Sequence, residues 1–115
     1  MSLKLKPEEL QELLQAFQDL LNYESDDLAE PINPFTYVDS NGDNCLHIAA
    51  SRGDYRSVEL LLKAGLNVDQ VGDMGCTALH YANMKGHDGI KRLLLDYGAS
   101  TTIRNEFGKL PLQDS

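Results

Sequence analysis

The chain holds 115 residues, of which 18 are Asp or Glu and 10 are Lys or Arg, for a formal net charge of −8. That length suits one domain with a modest core, and the acidic balance disfavours nucleic acid, whose phosphates require a basic surface. No run approaches transmembrane length and Glu8, Glu9 and Glu12 soon follow Lys4 and Lys6, so neither a signal peptide nor membrane association is expected.

The charge is one-sided. Residues 1–43 carry ten Asp/Glu and two Lys, whereas residues 44–115 carry eight acids and eight bases. The imbalance lies wholly in the front of the chain, which favours a basic partner or serves solubility. Cys45 and Cys76 stand far apart without metal-ligand spacing, which reads as two reduced thiols in the cytoplasm.

In chain order, residues 7–23 read as one amphipathic helix. Leu10, Leu13, Leu14, Phe17, Leu20 and Leu21 fall at i, i+3, i+4 spacing on one face. Pro7 suits the first turn, and Glu8 and Glu9 suit the positive end of the helix dipole. An acidic segment, 24–34, ends in Pro31-Ile32-Asn33-Pro34, which leaves room for one short turn at most over 26–30. Phe35, Tyr37 and Val38 then lead into the turn Asp39-Ser40-Asn41-Gly42. Helices are expected near 45–52 and 56–64, a second turn at Gly72–Gly75, and helices near 78–85 and 88–97. Asn44 and Thr77 stand where side-chain oxygens can accept from free backbone N–H groups at helix starts.

The chain repeats itself at a period of 33 residues. Gly42 returns as Gly75 and Gly108, Leu46-His47 as Leu79-His80, and Ala49 as Ala82. Gly53 returns as Gly86, Leu60-Leu61-Leu62 as Leu93-Leu94-Leu95, and Gly65 as Gly98. Such a period marks a stacked-repeat architecture. The strings Asn44-Cys45-Leu46-His47-Ile48-Ala49 and Thr77-Ala78-Leu79-His80-Tyr81-Ala82 resemble the Thr-Pro-Leu-His-x-Ala signature of the ankyrin repeat. The resemblance covers about two-thirds of the chain. It implies an all-α repeat solenoid of antiparallel helix pairs joined by projecting β-turn fingers. Residues 1–36 form a capping helix with an acidic lead-in, and repeats occupy about 37–69, 70–102 and a partial 103–115. The 7–23 helix lacks the turn glycines, so it reads as a degenerate N-terminal cap, which stacks of this kind need. In the last unit Leu110-Pro111-Leu112-Gln113 replaces the signature, giving either a minimal C-terminal cap or a fragment of a longer scaffold.

Chemistry finds little support. His47 and His80 hold the same register in successive units, which assigns them to bridging polar groups between units; His87 has no such companion and is expected at the surface. Asp39–Asp43 alternates oxygens, but a calcium loop needs glycine at its sixth position and Glu at its twelfth, where this chain has Asn44 and Ala50. No nucleophile elbow, phosphate loop, HExxH or CxxC occurs, so no catalytic residue, metal or cofactor is assigned.

The resemblance also implies a habit of binding other proteins through fingers and inner helices. By register, the outward positions are Val38, Ser40, Asn41, Asp43, Ser51 and Arg52 in the first unit. In the second they are Val71, Asp73, Met74, Cys76, Met84 and Lys85; in the third, Arg104, Glu106, Phe107 and Lys109. Met74, Met84 and Phe107 are apolar where a scaffold alone prefers polar residues, which marks contact surface. Gly72 replaces the usual finger aspartate, so a looser second finger is expected. Glu24, Asp26, Asp27 and Glu30 are candidates for steering a basic partner. The expected state is a monomer, or a weak oligomer through the C-terminal unit. The acidic front resembles that of bacterial immunity proteins that block a basic toxin; the alternatives are an adaptor or regulatory ankyrin protein and, remotely, a hydrolase or metalloenzyme.

Overall fold

The computed structural model describes residues 4–23, 25–27 and 30–113. Five α-helices follow one another: α1 (Pro7–Ala16), α2 (Cys45–Arg52), α3 (Tyr55–Lys63), α4 (Ala78–Lys85) and α5 (Asp88–Asp96). A short 3-10 turn, Asp73–Gly75, lies between the two pairs, and the described residues include no strand beyond an isolated bridge between Val38 and Asn44. The four repeat helices begin and end within one residue of their expected limits, because each is bounded by local signals. α2 and α3 pack as a pair, α4 and α5 as a second, with α2 on α4 in the inner layer and α3 on α5 in the outer.

Each inner helix starts with a reciprocal cap. Asn44 Oδ1 accepts the His47 N–H at 3.0 Å while His47 Nδ1 accepts the Asn44 N–H at 3.0 Å. Thr77 Oγ1 and His80 repeat this at 3.4 and 2.9 Å. An Nδ1 that accepts carries no proton, so the proton sits on Nε2. His47 Nε2 donates to the Gln70 carbonyl at 2.7 Å and His80 Nε2 to the Lys109 carbonyl at 3.0 Å. Each histidine thus ties the start of its own helix to the chain of the following unit. Both rings are buried. His87 departs from expectation: it is half-buried, and its Nε2 meets the Ser51 carbonyl at 3.2 Å, linking the two pairs.

The core runs through the stack as Leu46, Val58, Leu60, Leu61, Leu79 and Leu94, with Leu13 and Phe17 closing it at the front. Cys45 is fully buried there, and burial pushes its thiol up to about 12. α1 packs on α3, so it covers the outer layer. It is shorter than the expected 7–23 helix. Arg52 Nη1 donates to the Ala16 carbonyl at 3.4 Å and its guanidinium grips Asp19 at 2.6 Å, satisfying groups at the C-terminal end from outside the helix. Residues beyond Phe17 continue as single turns, and Leu21, expected on the apolar face, is exposed.

The far end of the stack is built differently from its interior. Ala50 and Val58 are fully buried in the first pair, and their counterparts in the second are Asn83 and Lys91. Lys91 Nζ donates to Asn83 Oδ1 at 3.2 Å, a polar tie between α4 and α5. The third unit forms its finger but no helix among the described residues. Leu110 N–H donates to Gln113 Oε1 at 3.0 Å and Gln113 N–H to the Leu110 carbonyl at 3.1 Å, a single capped turn over a buried Pro111.

Candidate protein-binding surface

The three fingers share one closure and differ in how they complete it. Asp39, Gly72 and Asn105 each donate a backbone N–H across the finger, to Asp43, Cys76 and Lys109 at 2.9, 2.8 and 3.0 Å. Asp39 Oδ1 then accepts from Asn41 and Asp43 N–H, each at 2.9 Å. Asn105 Oδ1 does the same for Phe107 and Lys109 at 2.9 and 3.0 Å. Asp39 Oδ1 and the Asp43 carbonyl are therefore engaged in closing the first finger.

Gly72 has no such side chain, yet its finger is not loose. Asp43 Oδ1 reaches across from the first finger, accepting the Asp73 N–H at 2.9 Å and the Tyr81 hydroxyl at 2.8 Å. A Cβ on Gly72 would collide with that oxygen and stand 2.8 Å from His47 Nδ1. The turn itself tightens: Cys76 N–H reaches the Asp73 carbonyl at 3.1 Å, with Met74 at φ 56°, ψ 24° and Gly75 at φ 72°. Two successive positive φ values define a type I′ turn. Met74 is the single non-glycine residue with positive φ among those described. Its carbonyl accepts the Glu106 N–H at 2.9 Å, so the third finger leans on the second.

Of the register-predicted contact residues, Met74, Met84 and Phe107 are 48%, 60% and 69% exposed. With Asp73, Tyr81, Asn105 and Lys109 they surround an open cup of about 470 Å³ between the second and third fingers. Val38, Ser40, Asn41, Val71, Lys85, Arg104 and Glu106 are also exposed, although Arg104 turns back to the Gly108 carbonyl at 2.7 Å. Of the remaining positions, Cys76 departs from the expected outward placement and three are engaged within the fold. Cys76 is buried, 4% exposed, because the third finger folds over it and Asn105 Nδ2 lies 3.5 Å from its sulfur. Asp43 is engaged between fingers. Arg52 faces α1 and lies 5.8 Å over the Phe17 ring. Ser51 is half-buried against His87.

A second concavity, about 730 Å³, joins the lead-in to the first finger; Asp19, Glu30 and Asp39 line it together with Leu21, Tyr23, Tyr37 and Val38. Asp26, Asp27 and Glu30 are exposed, and Glu30 is hydrogen-bonded by the Ser25 hydroxyl. Glu24 lies outside the described residues. The side chains missed at the level of sequence are Tyr23 and Tyr81. Tyr81 replaces Ile48 of the first unit, a swap of apolar for hydroxyl-bearing residue beside Asp43, and that departure from the period was its available signal. Burial and the Asp43 carboxylate together push its phenol up.

Among the described residues no three His, Cys, Asp or Glu side chains gather as a metal site, and no helix is long and apolar enough to cross a membrane. A family model described as ankyrin repeats (3 copies) matches residues 9–105, from within α1 to the third finger. The chain is 38% identical over 79 residues to a transient receptor potential cation channel subfamily A member 1 homolog of Caenorhabditis elegans, covering 68% of this chain and 6% of that protein. It is 36% identical over 77 residues to a palmitoyltransferase of Debaryomyces hansenii, covering 64% of this chain and 9% of the relative. To human protein phosphatase 1 regulatory subunit 27 it is 35% identical over 74 residues, 64% of this chain and 48% of that one. The chain thus spans less than half the length of each of these relatives.

Proposed function

Because the chain belongs to the ankyrin-repeat family, whose members are in general protein-interaction modules, we propose that it binds a basic partner protein across its fingers and is not itself a catalyst. The observation that carries this is the cup of Met74, Met84 and Phe107, three large apolar side chains left open on adjoining fingers and an inner helix. Exposed apolar side chains of this size cost solubility unless something covers them, and central apolar anchors carry most of an interface's energy. The acidic concavity at the other end supplies the charge that selects a basic partner.

A regulatory or adaptor role is the reading that the phosphatase regulatory subunit among its relatives favours. The acidic lead-in favours a second one, neutralisation of a basic toxin in the manner of an immunity protein. Two free cysteines accord with a cytoplasmic setting. The test is capture of partners from the host on immobilised wild-type protein and on a Met74→Ala/Phe107→Ala variant that melts at the wild-type temperature. A partner retained by the first and lost from the second supports the binding face; equal retention contradicts it. A captured basic nuclease inhibited on mixing supports the immunity reading, and a captured enzyme or assembly whose activity is redirected supports the regulatory one.

A further inference from the structure

We infer that Asp43 is a positioning residue that closes the second finger from the first, so that the two fingers move as one body and Met74 is held where it points. Three departures from the 33-residue period coincide here. Gly72 stands where the other fingers carry Asp39 and Asn105, Asp43 stands where they carry Cys76 and Lys109, and Tyr81 stands where the first unit has Ile48. The structure joins the three. The Asp43 oxygen occupies space that any side chain at Gly72 would need, and it accepts both the Asp73 N–H at 2.9 Å and the Tyr81 hydroxyl at 2.8 Å.

His47 changes with them. It donates to the Gln70 carbonyl, whereas His80, facing a finger that carries Asn105, donates to Lys109 instead. The second finger, without a side chain at Gly72, takes its acceptor from Asp43 of the first. A finger closed by its own side chain needs no neighbour for that closure; a finger closed by the preceding one does. The consequence for recognition rests on the binding reading above, namely that the acidic first finger and the apolar cup keep a fixed spacing. The closure itself needs no partner.

The test accordingly uses the full chain without a partner. Asp43→Ala should speed exchange of the Asp73 amide at least tenfold while the Asn41 amide, held by Asp39, keeps its protection. Asp43→Asn retains an acceptor oxygen and should keep the Asp73 amide within a few-fold of wild type. Gly72→Asp alone should lower the melting temperature through collision and like charge, and combining it with Asp43→Ala should recover part of that loss, the close approach to His47 remaining. Strict additivity of the two changes, or an Asp73 amide indifferent to Asp43→Ala, would overturn the inference. Either failure leaves the proposed binding face standing, because no partner enters the measurement.

Discussion

Met74 holds a left-handed backbone that costs an L side chain roughly 1–2 kcal/mol. A type I′ turn prefers Asn at that position, and the equivalent residue of the first finger is in fact Asn41. Met74→Asn is therefore expected to raise stability by about 1 kcal/mol in thermal or denaturant unfolding, and to weaken partner binding by removing an anchor. No gain in stability would mean that the finger is unstrained. His47 yields a pH prediction. Burial lowers its pKa, against the opposing pull of its bond to Gln70 and the nearby Asp43. In the window between its ordinary value, about 6.5, and its lower folded value, the unfolded chain binds the proton first. Stability from the neutral ring is thus fully present above about 6.5 and is lost as pH falls toward the folded value. Melts at stepped pH should decline in this range, and His47→Ala should start lower and decline less. His80→Ala should cost about 1–3 kcal/mol by stranding the Thr77 N–H and the Lys109 carbonyl.

At the scale of elements, α1 is held to the stack by apolar burial more than by charge. Arg52–Asp19 at 2.6 Å and Arg56–Glu12 at 2.9 Å lie at solvent, where such pairs contribute little, and Lys63 at 3.0 Å reaches Glu9 from a side chain that is itself exposed. Phe17, 1% exposed, contributes more: Phe17→Ala should cost about 3–5 kcal/mol, read from chemical denaturation. A chain starting at Phe35 should lose cooperative unfolding; melting at the parent temperature would sink the cap assignment. The backbone bond from Lys6 to Glu9, then Lys63, and the Arg52 guanidinium on Asp19 hold both carboxyls below their usual range. Their contribution is present above about pH 4 and lost as pH falls through the lowered values. The repeat helices were legible from sequence because Asn44, Thr77, Gly53 and Gly86 mark their limits locally. The end of α1 was not, since Arg52, 36 residues away, supplies a bond to its last carbonyl. Cys76 and Asp43 escape register for a related reason: it gives a finger's own geometry, whereas the cover on Cys76 and the bonds of Asp43 come from the neighbouring unit.

For the whole molecule, the two ends of the stack differ in kind. The front carries the surplus of acid, and the second helix pair has Asn83 and Lys91 where the first has Ala50 and Val58. The fingers lie between, with an acidic concavity toward one end and an apolar cup toward the other. A one-sided field raises the association rate of an oppositely charged partner and is screened by salt, while apolar anchors set residence time. Met74→Ala or Phe107→Ala should accordingly speed dissociation of the captured partner and leave its association rate nearly unchanged. The most direct measurement is that partner's association rate at low and high salt, for wild type and for Asp26→Asn/Asp27→Asn/Glu30→Gln. The proposed mode predicts a rate that falls with salt in the wild type, and in the variant a slower rate with a flatter salt dependence. An association rate indifferent both to salt and to the triple change would contradict it.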